Sequence, residues 1–387
     1  MGLRRLQHSQ GSQCKHGGGV MRTMRAALLD SPGSPLRIVD DVEIDDPREG
    51  EVLVRVRHCG VCHSDLGIVD GAMPYPLPAI LGHEAAGTIE ALGPGVDDLK
   101  VGDRVVLSMR PPCGACEYCL RDQPVLCQAA QSPATLGKAG ASRLRRKGAG
   151  ITQGLRLGAF AEFALVERAG VVRVPDGLPL SEAAVVGCAV QTGLGSVFNI
   201  AQVSPGKTAA VIGLGGIGLS TVQGLVLAGV KTLIGIDPHS ARRVRAVSMG
   251  VSAAFDSAEE TLITDALACV KGEGFDYVFD GVCAASTMQV AASLVKKGGQ
   301  IILVGVAKGG TTVAVPALDV VLKQLSIKGS FLGNCHPQRD MTRYLDLCCT
   351  HSLDLKSLVT MERPLEEINE ALEDMRNGVG IRTVLSI

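Results

Sequence analysis

Four cysteines close together in the chain have the type and spacing of a zinc site. Cys113, Cys116, Cys119 and Cys127 follow the spacing C-x2-C-x2-C-x7-C, among prolines and glycines that favour a loop. Such a loop can place four thiolates around one tetrahedral Zn²⁺. An iron–sulfur run would have its fourth cysteine closer and followed by Pro, whereas Gln128 follows here, and a redox pair would need only two cysteines. We therefore predict a structural zinc, with no coordination position open to substrate.

A second group of zinc-ligand residue types lies upstream. Cys62 stands in Gly60-Val-Cys-His-Ser-Asp, and His83 stands in Gly82-His-Glu-Ala-Ala-Gly. An open catalytic zinc site needs three protein ligands and a water, so a third ligand should come from a distant part of the fold. The spacing alone leaves an alternative open, in which Cys62 is a buried thiol and His83 an ordinary loop histidine. The segment is not an HExxH motif, because the fifth residue is Gly87.

A glycine-rich turn follows an apolar strand and precedes a helix-like segment. Its glycines are Gly213, Gly215, Gly216 and Gly218. A second apolar strand, Thr232–Ile236, ends at Asp237, which is 24 residues after the first glycine. This order is typical of dinucleotide binding, in which backbone amides approach the pyrophosphate and the acid accepts the ribose hydroxyls. Asp237 would repel a 2′-phosphate, so the pattern predicts NAD rather than NADP.

Together these motifs resemble the zinc-dependent alcohol dehydrogenases of the medium-chain dehydrogenase/reductase family, most closely its class III-like branch. The pattern Gly82-His-Glu-x2-Gly-x5-Gly-x2-Val96 matches the family's zinc signature at every fixed position. The resemblance implies an α/β fold with a GroES-like irregular β-barrel catalytic domain at 24–189 plus 334–387, carrying a zinc lobe at 111–128. A doubly wound Rossmann NAD-binding domain would be inserted at 190–333, after a disordered leader at 1–23.

The resemblance also assigns site residues. Cys188 would be the third catalytic zinc ligand, Glu84 a nearby or exchanging ligand, and Asp65 the brace of His83. Ser64 would hold the substrate hydroxyl and begin a proton relay. The remaining residues would contact the cofactor, and they are His63, Arg242, Val306 and Arg382. For the two arginines a solvated surface charge is the alternative.

The implied activity is hydride transfer between an alcohol, primary and medium-chain or aromatic, and NAD, with two zinc ions per subunit. Met73, Met109 and Val306 would line an apolar substrate pocket. Liver-type relatives have a relay histidine where this chain has Gly67, so the proton route stays open. Two enzyme alternatives are a thiol-dependent formaldehyde dehydrogenase and an alcohol dehydrogenase that retains its nicotinamide. A non-catalytic zinc- and NADH-binding protein is a third alternative, of a different class.

The composition indicates the kind of framework that positions these groups. In 387 residues, 46% are hydrophobic and 20% charged, as in a folded α/β protein. The net charge of -1 and the absence of Trp argue against nucleic acid as a main partner. Two long uncharged runs, Ala183–Gly206 and Thr208–Val230, predict buried strands and helices rather than membrane spans. Tyr277–Asp280 and Gln300–Val304 predict further strands of the parallel sheet.

Three further expectations concern surroundings and surface. The composition favours a cytoplasmic protein, and similar chains often form homodimers or homotetramers. The basic cluster of 143–147, which contains Arg143, Arg145, Arg146 and Lys147, predicts a solvated loop.

Overall fold

The computed structural model describes residues 22–131, 142–307 and 309–387. Most of the predicted leader, residues 1–21, therefore lies outside the described residues. Within them the chain forms three β-sheets joined by short helices. The helices are α1 (His63–Val69), α2 (Glu117–Leu120), α3 (Leu180–Ala184), α4 (Ala189–Gly195), α5 (Gly216–Leu227), α6 (Ser240–Ser248), α7 (Leu262–Ala268), α8 (Ala285–Leu294), α9 (Ala317–Leu322), α10 (Thr342–Cys349) and α11 (Ile368–Arg376).

The first sheet is a closed barrel of five strands in the order β1-β2-β7-β8-β4. Its strands are β1 (Arg22–Leu29), β2 (Arg37–Ile44), β4 (Ala79–Ile80), β7 (Leu144–Arg146) and β8 (Ala149–Gln153). Closure pairs every strand on both sides, so the barrel leaves no open edge. Its apolar side chains belong to a core that extends to Cys62 and Cys188.

The predicted solvated loop at 143–147 is wrong, because these residues form part of the β7–β8 hairpin. The Arg143 side chain is only 3% exposed, and its Nε lies 2.9 Å from an Asp45 oxygen and its Nη1 2.7 Å from a Glu51 oxygen. Arg145 also pairs with Asp45. A buried cation is tolerated where carboxylates neutralise it, and these acids lie too far along the chain for a local pattern to reveal them.

The second sheet places the upstream zinc-ligand residues side by side. Its order is β10-β6-β5-β3-β18-β17, and one further strand, β9, pairs with β3. Gly60, the last residue of β3, lies opposite Glu84 of β5 and Val384 of β18. The strands are β3 (Glu51–Gly60), β5 (Glu84–Leu92), β6 (Arg104–Leu107), β9 (Phe163–Glu167), β10 (Val171–Arg173), β17 (Val359–Pro364) and β18 (Arg382–Ser386).

The third sheet is a six-stranded parallel sheet of the predicted doubly wound kind, in the order β13-β12-β11-β14-β15-β16. The predicted strand Thr232–Ile236 has the observed bounds, and the other predicted strands fall within two longer ones except for Val304, which follows β15. The strands are β11 (Thr208–Ile212), β12 (Thr232–Ile236), β13 (Ala253–Phe255), β14 (Phe275–Asp280), β15 (Val295–Leu303) and β16 (Ser326–Gly329). The sheet lies inside the predicted 190–333 segment, whose domain boundaries stay a prediction.

In the described part of the chain, no single helix is long and apolar enough to cross a membrane. One pair bent by 53°, Leu180–Gly187 with Ala189–Ala201, has sufficient length and apolar composition when taken together. Its side chains Val185, Val190 and Val197 are buried in the protein core.

Candidate active site

Four side chains that can bind a metal meet at one buried point. Their donor atoms lie within 4.8 Å of one another, and they belong to Cys62, His83, Glu84 and Cys188. Cys62 directly precedes α1, Glu84 begins β5, and Cys188 directly precedes α4. The fold thus brings the ligand implied only by resemblance, Cys188, beside the two residues that the spacing suggested.

The donor set fits zinc. His83 Nε2 and both carboxylate oxygens of Glu84 are buried and have no hydrogen-bond partner among the described residues. Buried polar atoms without partners are costly, so a ligand for them is expected. Two sulfurs, an imidazole nitrogen and a carboxylate oxygen are donors that Zn²⁺ accepts. The residues present could therefore hold that metal.

Asp65 fixes the orientation of this cluster. Its Oδ1 accepts the Gly82 N–H at 3.0 Å and lies 3.2 Å from His83 Nδ1, while its Oδ2 accepts the Cys62 N–H at 3.2 Å. Asp65 is completely buried. Engaging Nδ1 leaves Nε2 of His83 for the metal, which is the usual role of a carboxylate behind a ligating histidine.

The charge around the cluster favours a thiolate. The pKa of Cys62 lies well below its ordinary value because Cys188 hydrogen-bonds to it and because Arg382 and His83 add positive charge, which together outweigh burial. Burial raises the pKa of Glu84 to about 8, although Arg382 opposes this. The Arg382 Nε lies 3.4 Å from a Glu84 oxygen, and both side chains are buried.

Gly60 makes room for Glu84, a requirement that the sequence did not reveal. A Cβ atom built on Gly60 would lie 2.5 Å from Glu84 Oε2 and 3.0 Å from its Cβ. The two residues face each other across β3 and β5, so only this register explains the glycine.

The four cysteines of the loop also converge. The donor atoms of Cys113, Cys116, Cys119 and Cys127 lie within 4.8 Å of one another. The Cys116 sulfur is 3.6 Å from that of Cys119 and 3.9 Å from that of Cys127. Zinc–sulfur bonds of ~2.3 Å give a tetrahedron with edges of about 3.8 Å, so the spacing fits one Zn²⁺.

A clamp that sequence reasoning missed holds this cysteine loop against the rest of the chain. Asp122, within the loop, accepts hydrogen bonds from the Arg339 guanidinium at 2.8 and 3.0 Å. The Asn334 side-chain amide donates to the Asp122 carbonyl at 2.9 Å. These partners are more than 200 residues apart in the chain, so no local signal could have identified them.

A cleft of about 640 Å³ joins the metal cluster to the glycine-rich turn. It contains every residue predicted for cofactor contact. They are His63, Gly213, Gly215, Gly216, Gly218, Asp237, Arg242, Val306 and Arg382. The cleft is thus a continuous site that runs from Cys62 to the carboxyl ends of the parallel strands, where nucleotides bind in such sheets.

The glycine turn links β11 to α5 as the motif requires. Gly213 has φ of +85°, a conformation that favours glycine. A Cβ on Gly218 would lie 1.8 Å from the Gly213 carbonyl oxygen, so the helix can pack this close to the strand only with glycine there. The Arg382 guanidinium lies against Gly216 and reaches the cleft.

Asp237 and Arg242 form the opposite end of the cleft. One Asp237 oxygen accepts the Leu214 N–H at 2.8 Å, and the other accepts the His239 N–H at 2.8 Å. Arg242 Nη1 lies 3.9 Å from Asp237, and its side chain is 16% exposed. Arg382 is 4% exposed, so neither arginine is a solvated surface charge.

The first turn of α1 faces the cleft between these two ends. His63 and Ser64 are its first residues, and the Ser64 hydroxyl lies 4.0 Å from the Cys62 sulfur. Met73 lines the cleft beside Gly67. Met109 is not among the lining residues and is buried in the core.

Comparisons with known proteins agree with this arrangement. Two family models match, one described as "Alcohol dehydrogenase GroES-like domain" over 48–176 and one as "Zinc-binding dehydrogenase" over 216–349. An NDMA-dependent alcohol dehydrogenase of Amycolatopsis methanolica is 37% identical over 93% of this chain and 98% of its own. The crystal structure of benzyl alcohol dehydrogenase from Acinetobacter calcoaceticus has a TM-score of 0.89 and 27% identity, over 95% and 99% of the two chains. A short chain alcohol dehydrogenase from Escherichia coli CFT073, complexed with NADH, has a TM-score of 0.79 and 26% identity, over 94% and 99%.

Proposed function

The chain belongs to the zinc-dependent alcohol dehydrogenases of the medium-chain dehydrogenase/reductase family, and from this premise we propose that it transfers a hydride between a medium-chain or aromatic primary alcohol and NAD. It is a zinc-dependent oxidoreductase of small alcohols or aldehydes that uses a nicotinamide cofactor. The observation that carries the proposal is the cleft, because it joins the metal cluster at Cys62 to the glycine turn and Asp237.

Two zinc ions per chain are part of the proposal. Cys62, His83 and Cys188 would hold the catalytic zinc, with Glu84 beside it, and the four-cysteine loop would hold the structural one. When bound, a catalytic zinc acts as a Lewis acid that lowers the pKa of a substrate hydroxyl. A closed four-thiolate site supplies folding energy instead.

The chain's own residues would move the proton and exclude water. Ser64 takes the proton of the substrate hydroxyl, since its own hydroxyl lies beside Cys62 in the cleft. Gly67 has no side chain, so the next acceptor is another group or water. Asp65 keeps His83 in one tautomer and orientation throughout.

Cofactor and substrate would occupy the two arms of the cleft. Arg382 and His63 offer positive charge and hydrogen-bond donors to the pyrophosphate, and Asp237 accepts hydrogen bonds from the adenosine ribose. The other arm carries Met73 and Leu66, which suits an unbranched or aromatic apolar substrate.

A second candidate function is an alcohol dehydrogenase that retains its nicotinamide between turnovers. The observation that favours it is the 37% identity with an NDMA-dependent alcohol dehydrogenase over nearly the whole chain. In this mode added NAD would not be needed, and NDMA would serve as the hydride acceptor.

A homodimer is also part of the proposal. β16 pairs only with β15 in the described sheet, so its other edge is open. On neighbouring α9 the side chains of Leu318, Val321 and Leu322 are 69%, 71% and 69% exposed. A second copy could extend the sheet across this edge and cover these side chains. Light scattering should give twice the chain mass, and Val321→Glu should give the monomer; a monomeric wild type would contradict this.

The central experiment follows NADH absorbance with benzyl alcohol and medium-chain alcohols, with and without added NAD, and repeats each assay with NDMA. Turnover that requires NAD supports the first candidate, and turnover with NDMA alone supports the second. Formaldehyde with and without a thiol tests the thiol-dependent alternative. Cys188→Ala should abolish turnover but retain NADH binding, and Cys269→Ala, an exposed cysteine outside both clusters, is the matched control.

A further inference from the structure

A second cavity opens beside the end of the cleft that contains Asp237. Its volume is about 480 Å³, and it shares Pro238, His239, Arg242 and Ile381 with the cleft. Its other walls come from the beginning of α6 and from the loop at 378–381 near the end of the chain. Neither zinc cluster nor the substrate arm uses this cavity.

The cavity is lined by basic side chains. Three of its lining residues, His239, Arg242 and Arg245, carry or can carry positive charge, and none of the lining residues is acidic. In the described part of the chain, the Arg245 side chain has no hydrogen bond or ion pair. The Nε of Arg242 is likewise buried without a partner. The neighbouring Arg243 is engaged instead, at 2.9 Å from Asp256, and lies outside the cavity.

Arg242 is held in place on the side away from the cleft. Its Nη2 donates to the carbonyls of Gly378 at 3.3 Å and Gly380 at 3.2 Å. This contact fixes the guanidinium between the cavity and Asp237, so little side-chain entropy would be lost when an anion binds.

The charge balance at this end of the cleft favours an anion. Both Asp237 oxygens already accept backbone N–H groups, and its carboxylate is 3% exposed with Arg242 only 3.9 Å away. A phosphate beside the ribose would therefore meet two guanidinium groups, of Arg242 and Arg245, against one carboxylate that is already paired. Guanidinium groups suit phosphate oxygens particularly well.

We propose that this cavity receives the 2′-phosphate of NADP, so that the enzyme accepts NADP alongside NAD. The inference rests on the proposed function, because the adenosine ribose must lie at Asp237 for its 2′-substituent to enter the cavity. Arg242 is the fixed half of the phosphate site, and Arg245 is the half that closes on it.

The test measures binding to the full-length protein without any alcohol. Titrations that follow the fluorescence of NADPH and NADH should give dissociation constants within about tenfold of each other. By calorimetry, 2′,5′-ADP should bind more tightly than 5′-AMP, which lacks the 2′-phosphate. Arg245→Gln should weaken NADPH and 2′,5′-ADP about tenfold and leave NADH and 5′-AMP within twofold. Arg343→Gln is the matched control, because this arginine stacks on Phe198 outside the cavity.

Each outcome decides between the proposals. If 2′,5′-ADP binds no better than 5′-AMP, or if Arg245→Gln leaves NADPH binding unchanged, the cavity proposal is wrong while NADH binding keeps the proposed function intact. If NADH itself fails to bind, the proposed function fails and the cavity proposal fails with it. The comparison of 2′,5′-ADP with 5′-AMP on the wild type needs no variant, so it decides even if Arg245→Gln misfolds.

Discussion

Replacing Asp65 by Asn changes one atom at the centre of the metal cluster. The carboxylate accepts three hydrogen bonds, two at Oδ1 from Gly82 and His83 and one at Oδ2 from Cys62. An amide offers only one acceptor atom, and its NH₂ group must then face at least one of these donors. Asp65→Asn therefore leaves at least one buried N–H unsatisfied and removes the negative charge behind His83.

The expected magnitude follows from these contacts. One unsatisfied buried donor costs about 1–3 kcal/mol of folding free energy. Loss of the carboxylate behind a ligating histidine typically lowers metal affinity by roughly 10–100-fold. Asp30→Asn is the control, because Asp30 makes one exposed ion pair with Arg37, and such pairs contribute about 0–1 kcal/mol.

Urea denaturation after zinc removal measures the folding term, and competition with a chromogenic chelator measures zinc affinity. Asp65→Asn should show both losses, and Asp30→Asn should show neither beyond the limit given for an exposed pair. An Asp65→Asn protein with wild-type zinc affinity would refute the assignment of Asp65 as the residue that orients His83.

Three further predictions concern other contacts. Gly60→Ala should lower the Tm and the zinc content together, by roughly 1–3 kcal/mol in stability, because the new methyl would overlap Glu84; zinc analysis and thermal melting check it, and retention of both would contradict it. Arg143→Met should cost about 3–5 kcal/mol in urea denaturation, since it strands two carboxylates, and a loss below 1 kcal/mol would count against the buried ion-pair network. The pKa of Asp276 lies below its ordinary value because, although burial opposes this, Lys296 at 2.5 Å and two hydrogen bonds outweigh it; its stabilisation is thus present above about pH 4 and lost as the pH falls, so Asp276→Asn should flatten the acid side of a Tm-against-pH curve, and an unchanged curve would refute this.

The parallel sheet and its glycine turn were largely predictable from sequence. Five buried residues of β11 form a continuous apolar run, which is typical of an interior parallel strand, and Gly213 and Asp237 stand at the ends of successive strands. The loop at 143–147 was predicted wrongly, because its arginines are buried only by virtue of acids almost 100 residues away. The contribution of Cys188 was available only through family resemblance, since nothing in its own surroundings marks a metal ligand.

The sequence by itself determined the features that depend on short separations along the chain. The four-cysteine spacing, the glycine turn and the Cys62-to-Asp65 segment are each confined to a few residues, so covalent geometry already keeps their members close. Only the tertiary structure decided which distant groups meet. Arg382 reaches Glu84 across nearly 300 residues, Gly60 faces Glu84 through strand register, and Arg245 lines a cavity closed by the 378–381 loop. These contacts depend on how sheets pack and pair, and the free energy of that packing is a property of the whole core rather than of any local pattern.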